Sequence, residues 1–209
     1  MIKVILCDDH AVVRRGIRDT ISEATDIQVV GEAGSYPELR EAMRKTECDV
    51  LVLDLNMPGR GGLEVLAALR EEGSPVKTLV VSMYPEDQYA IRCLRAGARG
   101  YLNKAGDPAE LVNAIRTVQQ GRKFVTPEVA QMLVDNLNAP EDQELHASLS
   151  ERELQTLQKI ASGKKLSEIA EELMLSPKTV SVYRARVLEK LHLSNNAELT
   201  VYAIRNSLV

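Results

Sequence analysis

Short apolar runs alternate with longer amphipathic stretches over the first 120 residues. The runs cover residues 4–7, 27–33, 50–53, 78–81 and 100–102. Between them, apolar residues recur at helical spacing near residues 11–23, 37–46, 62–72, 86–96 and 108–120. Five repeats of a strand followed by a helix predict an α/β domain with a parallel sheet covered on both faces.

From Leu149 onward the pattern is entirely helical. Ser150 and Glu153 have the spacing of a capping box, and helices are predicted at about 151–162, 167–174, 177–191 and 195–207. Short helices joined by tight breaks are typical of a helix-turn-helix unit. Residues 123–147 contain one modest helical pattern, then Pro140 among acidic residues. We therefore predict an α/β domain over 1–122, a linker with a short helix over 123–147 and an all-α domain over 148–209.

Charge is unevenly divided between the two predicted domains. Residues 1–147 carry 17 Lys+Arg against 23 Asp+Glu, a net charge of −6, whereas residues 148–209 carry 9 against 7, a net charge of +2. The second part is therefore the better candidate for binding a polyanion. The three cysteines are far apart, which argues against a disulfide framework and favours a cytoplasmic protein. No apolar stretch approaches the roughly 20 residues of a membrane helix, so we expect no membrane association.

Polar residues follow four of the five predicted strands. Asp8 and Asp9 follow the first strand, Asp54 the third and Ser82 the fourth, and the fifth leads to Lys104. In a parallel α/β sheet, functional groups gather beyond the carboxyl ends of the strands. We therefore expect three carboxylates, a hydroxyl and an ammonium to converge on one edge.

Carboxylates this close together repel one another unless cations neutralise them. Lys104 supplies one positive charge, and Mg²⁺, which favours carboxylate and carbonyl oxygens and also binds phosphate, could supply the rest. A carboxylate can attack phosphorus to form an aspartyl phosphate, with the metal and the lysine stabilising the transferred charge. This chemistry predicts that the strand over residues 50–53 holds Asp54 as a nucleophile. The three histidines are scattered along the chain, and no histidine metal cluster is predicted.

The segments "LCDDH", "LVLDLNMPG", "LVVSM" and "ARGYLNK" resemble the receiver domain of two-component response regulators. The resemblance covers about residues 1–120 and implies a flavodoxin-like fold with a five-stranded parallel sheet. It implies that Asp54 accepts phosphate from a sensor histidine kinase. It also implies that Asp8, Asp9 and Asp54 bind Mg²⁺ together with the backbone carbonyl of Asn56.

The same resemblance implies roles for three further receiver residues. Lys104 would contact the phosphoryl group, and Ser82 would hydrogen-bond to it. Tyr101 would change rotamer together with Ser82. Such a change would alter the surface around the fourth helix and the fifth strand when Asp54 is phosphorylated.

Residues 149–204 resemble the LuxR-type helix-turn-helix domain, with "LSERE", "EIAEEL" and "EKL" in the family's order. Joined to a receiver, this four-helix domain looks like that of the NarL/FixJ subfamily of transcription factors. The resemblance implies that double-stranded promoter DNA is a partner and that the helix near 177–191 enters its major groove. It also implies pairing through the last helix, and hence a homodimer when the protein is phosphorylated or bound to DNA.

By family position, three small or apolar residues of the predicted recognition helix face the bases: Ser181, Val182 and Ala185. The expected contacts to the DNA backbone are polar or cationic: Thr179, Tyr183, Arg184, Arg186 and Lys190. Lys178 lies on the same exposed face and is included among the predicted DNA-binding residues. Because the base-facing side chains are small, DNA shape is expected to contribute to recognition.

Together these patterns predict a phosphorylation-activated, DNA-binding transcription regulator of the cytoplasm, and not an enzyme. One alternative is a phosphorylation-independent DNA-binding regulator whose receiver serves only as a protein-interaction module. A second alternative is a phosphatase of the haloacid dehalogenase type, which also has an aspartate after a strand. That class has a second aspartate two residues further on, where this chain has Asn56.

Overall fold

The apolar runs of the first 120 residues form the strands of one parallel sheet. A computed structural model describes residues 1–138, 145–206 and 208–209. The strands are β1 (Ile2–Cys7), β2 (Ile27–Ala33), β3 (Val50–Leu53), β4 (Lys77–Ser82) and β5 (Gly100–Asn103). They pair in parallel in the order β2-β1-β3-β4-β5. The predicted fold class is confirmed.

Five helices alternate with the strands. They are α1 (Ala11–Ser22), α2 (Tyr36–Lys45), α3 (Gly62–Glu71), α4 (Glu86–Ala96) and α5 (Pro108–Gln119). Side chains of β1, β3 and β4 pack with apolar residues of α5 in one continuous core, which includes Val4, Val52, Val81 and Ile115. All four residues of β3 are buried. This burial explains why the strand reads as an unbroken apolar run, as expected for a strand covered on both faces.

The strand order places the ends of β1 and β3 side by side. Cys7, the last residue of β1, is in register with Leu53, the last residue of β3. The backbone N–H of Asp54 then donates to the carbonyl of Cys7 at 2.8 Å. The residues that follow the two strands therefore leave the sheet next to each other.

The chain divides into two compact units, Met1–Ala139 and Pro140–Val209. Helix α6 (Pro127–Asn138) belongs to the first unit and contacts α4. Residues 127–138 of the predicted linker over 123–147 thus form a helix. The acidic segment around Pro140 lies outside the described residues, and the domain boundaries stay predictions.

The second unit is helical throughout its described residues. A 3₁₀ turn over Leu145–Ser148 precedes the helices α7 (Glu151–Ala161), α8 (Leu166–Glu172), α9 (Pro177–Lys190) and α10 (Asn196–Arg205). The predicted capping box is present: Ser150 Oγ accepts from the N–H of Glu153, whose carboxylate accepts from the N–H of Ser150. Ser176 caps α9 in a similar way, which fixes where that helix begins.

The core of the second unit positions helix α9. Val180 and Val187, seven residues apart on α9, are fully buried, as are Leu157 of α7 and Ile169 of α8. Helix α9 contacts both α7 and α8. The opposite face of α9 is thereby directed away from this core. Within the described ranges, the structure has no helix that is long and apolar enough to cross a membrane.

Candidate functional site

The structure brings Asp8, Asp9 and Asp54 together at the carboxyl edge of the sheet, and we call these three residues the acidic rim. One oxygen from each of them and one ring nitrogen of His10 all lie within 4.8 Å of one another. Asp8 and Asp54 are only 3% exposed. The rim is therefore a concentrated negative charge in a largely buried position.

Lys104 neutralises part of this charge. Its Nζ lies 2.7 Å from Asp8 Oδ2 and 3.0 Å from Asp54 Oδ1, and its side chain is 7% exposed. The backbone N–H of Lys104 donates to the carbonyl of Ser82 at 2.9 Å, which ties the residue to the end of β4. A buried cation held between two carboxylates interacts with both far more strongly than a solvated surface lysine would.

The carboxyl group of Asp54 holds its proton more tightly than an exposed aspartate does. Burial raises the pKa of its carboxyl to about 6; Lys104 opposes this rise, and the neighbouring Asp8 adds to it. Oδ1 accepts a hydrogen bond from the N–H of Leu55 at 2.9 Å. Oδ2 is buried and has no hydrogen-bond partner among the residues that the structure describes. One oxygen of Asp54 is thus left free to bind an incoming atom or a cation.

A cavity of about 150 Å³ lies beside Asp54. Its walls come from the ends of several strands and include His10, Asn56, Ser82 and Lys104. Hence a carboxylate, an ammonium and a hydroxyl share one small cavity. This arrangement suits a compact anion, which Lys104 would attract to a position beside Asp54.

The donors at the acidic rim also suit a hard divalent cation. Magnesium is bound in proteins through one or two carboxylates, with water and phosphate oxygens completing its shell. Asp8, Asp9 and Asp54 offer such oxygens within a few ångströms of one another. Lys104 supplies only one positive charge for the three acids. The rim is an acidic pocket of the kind that is typical of Mg²⁺ sites.

His10 is a part of this site that the sequence did not predict. It precedes α1 as its N-cap residue, and its Nδ1 lies 2.7 Å from Asp9 Oδ1. Its backbone N–H donates to Asp8 Oδ1 at 2.7 Å. The position of His10 directly after the two acids was the available signal. The sequence predicted that His10 begins the first helix, as it does, but not that its side chain joins the acidic rim.

Gly62 is a second residue of the site that the sequence did not predict. A Cβ atom at this position would lie 2.5 Å from the carbonyl oxygen of Asp54 and 2.7 Å from the Cα atom of Leu55. The N–H of Gly62 donates to the carbonyl of Leu55 at 2.9 Å. Only glycine lets the start of α3 approach the loop after β3 this closely, and the "PGRGG" segment was the only sign of this constraint in the sequence.

Ser82 and Tyr101 are connected through the backbone of Tyr84. The N–H of Tyr84 donates to Ser82 Oγ at 3.3 Å, and Tyr101 Oη donates to the carbonyl of Tyr84 at 2.8 Å. Tyr101 is almost fully buried, and burial raises the pKa of its phenol. The ring of Tyr84 stacks on that of Tyr89 in α4 at a centroid distance of 4.5 Å. A shift of Ser82 therefore has a direct route to Tyr101 and α4.

The predicted base-facing residues of α9 are all on the surface of the second unit. Ser181, Val182 and Ala185 are exposed, and so are the cations Lys178 and Arg186. Thr179 is half-buried, and its hydroxyl lies 2.8 Å from Ser176 Oγ at the start of the helix. Tyr183 is also half-buried.

Two predicted phosphate contacts already have partners within the second unit. Lys190 Nζ lies 2.6 Å from Glu153 Oε2 and donates to the carbonyl of Ser148 at 3.2 Å. Arg184 Nε donates to Asn196 Oδ1 at 2.5 Å. Lys190 thus has a structural role that its place in a basic helix did not reveal. Lys178 and Arg186 have no such partner within the described residues.

Comparison with known protein families identifies both halves of the chain. Residues 4–116 match the response regulator receiver domain, and residues 147–203 match the bacterial regulatory proteins of the luxR family. The receiver match includes the acidic rim, Ser82, Tyr101 and Lys104. The luxR match includes all of α9.

Full-length relatives have the same arrangement. The chain is 41% identical over 209 residues to the response regulator UvrY of Escherichia coli K12, covering all of this chain and 96% of that protein. Among solved structures, it is similar to RcsB of Salmonella enterica serovar Typhimurium bound to promoter rprA with the phosphomimetic BeF3⁻ (27% identity, 96% of this chain and 97% of that one, TM-score 0.63).

Another solved structure contains two RcsB dimers bound to two parallel DNAs (28% identity, 97% of this chain and 98% of that one, TM-score 0.60). The agreement thus extends over both units of the chain and is not limited to one module. The paired matches and the full-length identity have one consequence: this chain belongs to the two-component response regulators of the NarL/FixJ family, transcription regulators that join a receiver to a LuxR-type helix-turn-helix domain.

Proposed function

We propose that a histidine kinase phosphorylates this regulator on Asp54 and that phosphorylation controls its binding to promoter DNA in the cytoplasm. The observation that carries the proposal is the buried, unpartnered Oδ2 of Asp54, which lies in the same site as Lys104 and a small cavity. A carboxylate that served only as a strand cap would be expected in solvent or fully hydrogen-bonded.

In the proposed transfer, the phosphorus–nitrogen bond of a phosphohistidine breaks as an oxygen of Asp54 bonds to phosphorus. The imidazole leaves with the electron pair of that bond and takes a proton from water. Asp54 must be ionised to attack, which its pKa of about 6 allows at neutral pH. Lys104 Nζ, 3.0 Å from Asp54 Oδ1, is close enough to stabilise the charge of the arriving phosphoryl oxygens.

Mg²⁺ at this site would be held by Asp8, Asp9, Asp54 and the backbone carbonyl of Asn56. When bound, the ion supplies positive charge that offsets both the carboxylates and the transferred phosphoryl group. The acidity of the pocket supports this assignment, because Lys104 offsets only one of its three negative charges.

The signal would leave the site through Ser82. A phosphoryl group on Asp54 offers new acceptor oxygens to the Ser82 hydroxyl, which now accepts from the N–H of Tyr84. If Ser82 turns toward the phosphoryl group, the N–H of Tyr84 loses its hydrogen bond to Ser82. The carbonyl of the same residue accepts the hydrogen bond of Tyr101, so a movement of Tyr84 would also affect Tyr101. The switch would then repack the surface of α4 and β5, by selecting a conformation that is already accessible to the receiver.

Helix α9 would read the promoter in the major groove. Ser181, Val182 and Ala185 are exposed and lie at spacings that put them on one stripe of the helix. Their short side chains offer apolar contacts, for example to thymine methyl groups, and one hydroxyl. Lys178, Thr179, Tyr183 and Arg186 would contact the phosphates, and Arg184 and Lys190 would do so only by sharing or leaving their present partners.

A second copy of this chain is the expected partner on DNA. Helix α10 exposes two apolar side chains, Val201 and Ile204, at 49% and 62%. Burying them against the same helix of another copy would give the two-fold symmetry of paired half-sites. The solved structure of two RcsB dimers bound to DNA supports this assembly, because this chain is similar to RcsB over 97% of its length.

The phosphoacceptor proposal is tested by incubating the protein with acetyl phosphate and Mg²⁺ and measuring its intact mass. We expect the wild type to gain one phosphoryl group and Asp54→Asn to gain none. Asp19→Asn, which alters an exposed carboxylate on α1, is the matched control and should be labelled like the wild type. Equal labelling of Asp54→Asn and the wild type would contradict the assignment.

The regulatory proposal is tested by selecting genomic DNA fragments with the protein and footprinting them with and without acetyl phosphate. Tighter or more extended footprints with the phosphodonor, absent in Asp54→Asn, are the expected result. Identical footprints in all conditions would favour the alternative function, a DNA-binding regulator that does not depend on phosphorylation. The two tests are independent, because labelling of Asp54 can succeed while DNA binding stays unchanged.

A further inference from the structure

A second cavity, of about 580 Å³, lies at the opposite edge of the receiver sheet from Asp54. Its walls are the ends of α3 and α4, the loop over residues 73–76, the first residues of β4, the residues 97–99 that precede β5, and Lys123. Because the strands are parallel, their amino ends are separated from the acidic rim by the length of the sheet. This cavity is therefore separate from the phosphorylation chemistry.

The charged residues that line this cavity are all cations. We call them the basic cavity residues: Arg70, Lys77, Arg95, Arg99 and Lys123. No aspartate or glutamate is among its described lining residues. Elsewhere in the receiver, cations such as Lys3, Arg18 and Arg116 form ion pairs with carboxylates at 2.7–2.8 Å. None of the basic cavity residues has such a pair within the described part of the chain.

Two of these cations are held by backbone carbonyls. Arg70 Nη1 donates to the carbonyl of Arg95 at 3.1 Å, and the half-buried Lys77 Nζ donates to the carbonyl of Gln119 at 2.6 Å. These bonds hold like charges around one cavity without neutralising them. Gathering five cations around one cavity costs electrostatic free energy, which water reduces because Arg70, Arg95, Arg99 and Lys123 are exposed. A bound polyanion would recover that cost.

The size and floor of the cavity narrow the choice of anion. Small-molecule sites typically measure about 300–1,000 Å³ and combine apolar walls with a few placed polar groups. Apolar residues also line this cavity: Pro75 and Val76 are accessible at its surface, and buried residues such as Leu69 and Leu94 support them. Arginine recognises phosphate through paired N–H donors, and three of the five cations are arginines.

From this combination we infer that the basic cavity binds a nucleoside polyphosphate. The phosphates would lie among the arginines and lysines, and the nucleoside would cover the apolar floor. A simple inorganic anion would leave that floor uncovered, and an uncharged nucleoside would leave the cations unneutralised. The cavity would thus add a small-molecule input to a receiver whose other input is phosphorylation of Asp54.

The test is isothermal titration of ATP into the full-length protein in EDTA, so that no metal links the nucleotide to the acidic rim. We expect the double variant Arg95→Gln/Arg99→Gln to bind ATP at least about tenfold more weakly than the wild type, because each arginine removes charge-assisted hydrogen bonds. Within the described residues, the side chains of Arg95 and Arg99 make no hydrogen bond or ion pair; only their backbone groups form hydrogen bonds. Lys123→Gln, an exposed loop change, is a milder second variant.

The matched control is Arg15→Gln/Arg44→Gln, which makes the same change in net charge at exposed positions of α1 and α2. It should bind ATP like the wild type, and acetyl phosphate should label all these proteins equally if they are folded. Adenosine should not bind, and tripolyphosphate should bind more weakly than ATP. The inference is overturned if ATP does not bind, if both double variants weaken binding equally, or if tripolyphosphate binds as tightly as ATP.

Discussion

The acidic rim and helix α9 differ in how much of their charge is neutralised within the chain. At the rim, Lys104 is buried and contacts two buried carboxylates. On α9, Lys190 is 38% exposed and contacts one buried carboxylate, whereas Lys178 and Arg186 are exposed without a carboxylate partner in the described residues. The proposed phosphoryl transfer at the rim would need charges that are fixed before the reaction. The proposed DNA contact of α9 would instead need cations that remain available for phosphates.

The cations thus form a gradient, from the buried and paired Lys104 through Lys190 to the exposed Lys178 and Arg186. This gradient predicts that, among these cations, Lys104 contributes most to the stability of the folded protein. Replacing it by methionine leaves Asp8 and Asp54 close together with no cation between them. We expect Lys104→Met to lower the free energy of unfolding by about 3–5 kcal/mol at pH 7.5 in EDTA, the usual result of removing one partner of a buried ion pair. Urea denaturation followed by circular dichroism measures this loss.

Added Mg²⁺ should restore part of the stability of Lys104→Met, since it offsets the same carboxylates. The control is Lys3→Met, which breaks an exposed pair with Glu47 and should cost much less. If the two lysine variants were equally stable in EDTA, Lys104 would not be needed to neutralise the carboxylates of the rim.

The second prediction concerns Asp54, whose pKa burial raises to about 6. A carboxyl with a raised pKa in the folded state binds protons more tightly there than in the unfolded chain. Stability is therefore lost as the pH rises from about 4, the unfolded pKa, through about 6. In EDTA at pH 7.5, Asp54→Asn should be more stable than the wild type by roughly 2 kcal/mol, since two pKa units correspond to about that much after relaxation.

The advantage of Asp54→Asn should disappear as the pH falls below about 4, the unfolded pKa, because Asp54 then becomes protonated in both states. Calorimetric melting curves across this pH range measure it. Mg²⁺ should raise the melting temperature of the wild type more than that of Asp54→Asn, because the variant lacks one charged ligand. A stability difference that did not change with pH would argue against the raised pKa.

The same residues show which parts of the site the sequence predicts and which it does not. The carboxyl ends of parallel strands share an edge, so the positions of Asp8, Asp54 and Lys104 followed from the strand pattern alone. Gly62 could not be predicted in this way, because its constraint comes from the backbone of Leu55, which only the folded loop brings close. The pairing of Lys190 with Glu153 joins residues 37 apart. Helical periodicity indicates which face is exposed, but not which carboxylate lies next to it.

The basic cavity also could not be predicted from the distribution of charge along the sequence. Its five cations are spread over residues 70–123, among which acidic residues also occur, so no local run of charge marks them. Charge patterning detects clusters that are contiguous in sequence or on one helix. A cluster assembled from helix ends, loops and strand starts becomes visible only when the sheet is formed.

The third prediction tests the intermediate case, Lys190. Burial raises the pKa of Glu153, but Lys190 and the N–H of Ser150 outweigh it and the pKa is lowered overall. Lys190→Met should therefore destabilise the second unit by about 1–2 kcal/mol at pH 7, less than Lys104→Met because Lys190 is partly exposed. Because the pKa of Glu153 is lower in the folded protein than in the unfolded chain, its ionised carboxylate stabilises the fold at pH values above the unfolded pKa. This stabilisation is lost as the pH falls through the pKa of the folded protein. The difference between Lys190→Met and the wild type should accordingly shrink below about pH 4.

Calorimetry of the full-length protein measures the effect of Lys190→Met, and Lys178→Met serves as its control on the same helix. If both variants melted like the wild type, the contact with Glu153 would contribute nothing to folding. Lys190 would then be assigned to DNA phosphates alone.

The last prediction concerns the exposed cations of α9 and has the smallest effect on stability. Lys178→Gln and Arg186→Gln should each change the free energy of unfolding by less than about 0.5 kcal/mol, as expected for surface substitutions away from structural contacts. Each should nevertheless weaken binding to a footprinted DNA fragment about equally for specific and unrelated sequences. The slope of log affinity against log salt should become shallower by about one, because one fewer phosphate is neutralised.

Fluorescence anisotropy over a series of salt concentrations measures this slope, with Arg15→Gln of the receiver as the charge-matched control. The comparison with Lys190→Met is decisive for the gradient. If Lys190 serves mainly the fold, its variant should lose stability while its salt slope changes less than that of Arg186→Gln. The reverse order would mean that Lys190 leaves Glu153 on DNA, and that the recognition helix gains its full charge only by giving up an internal ion pair.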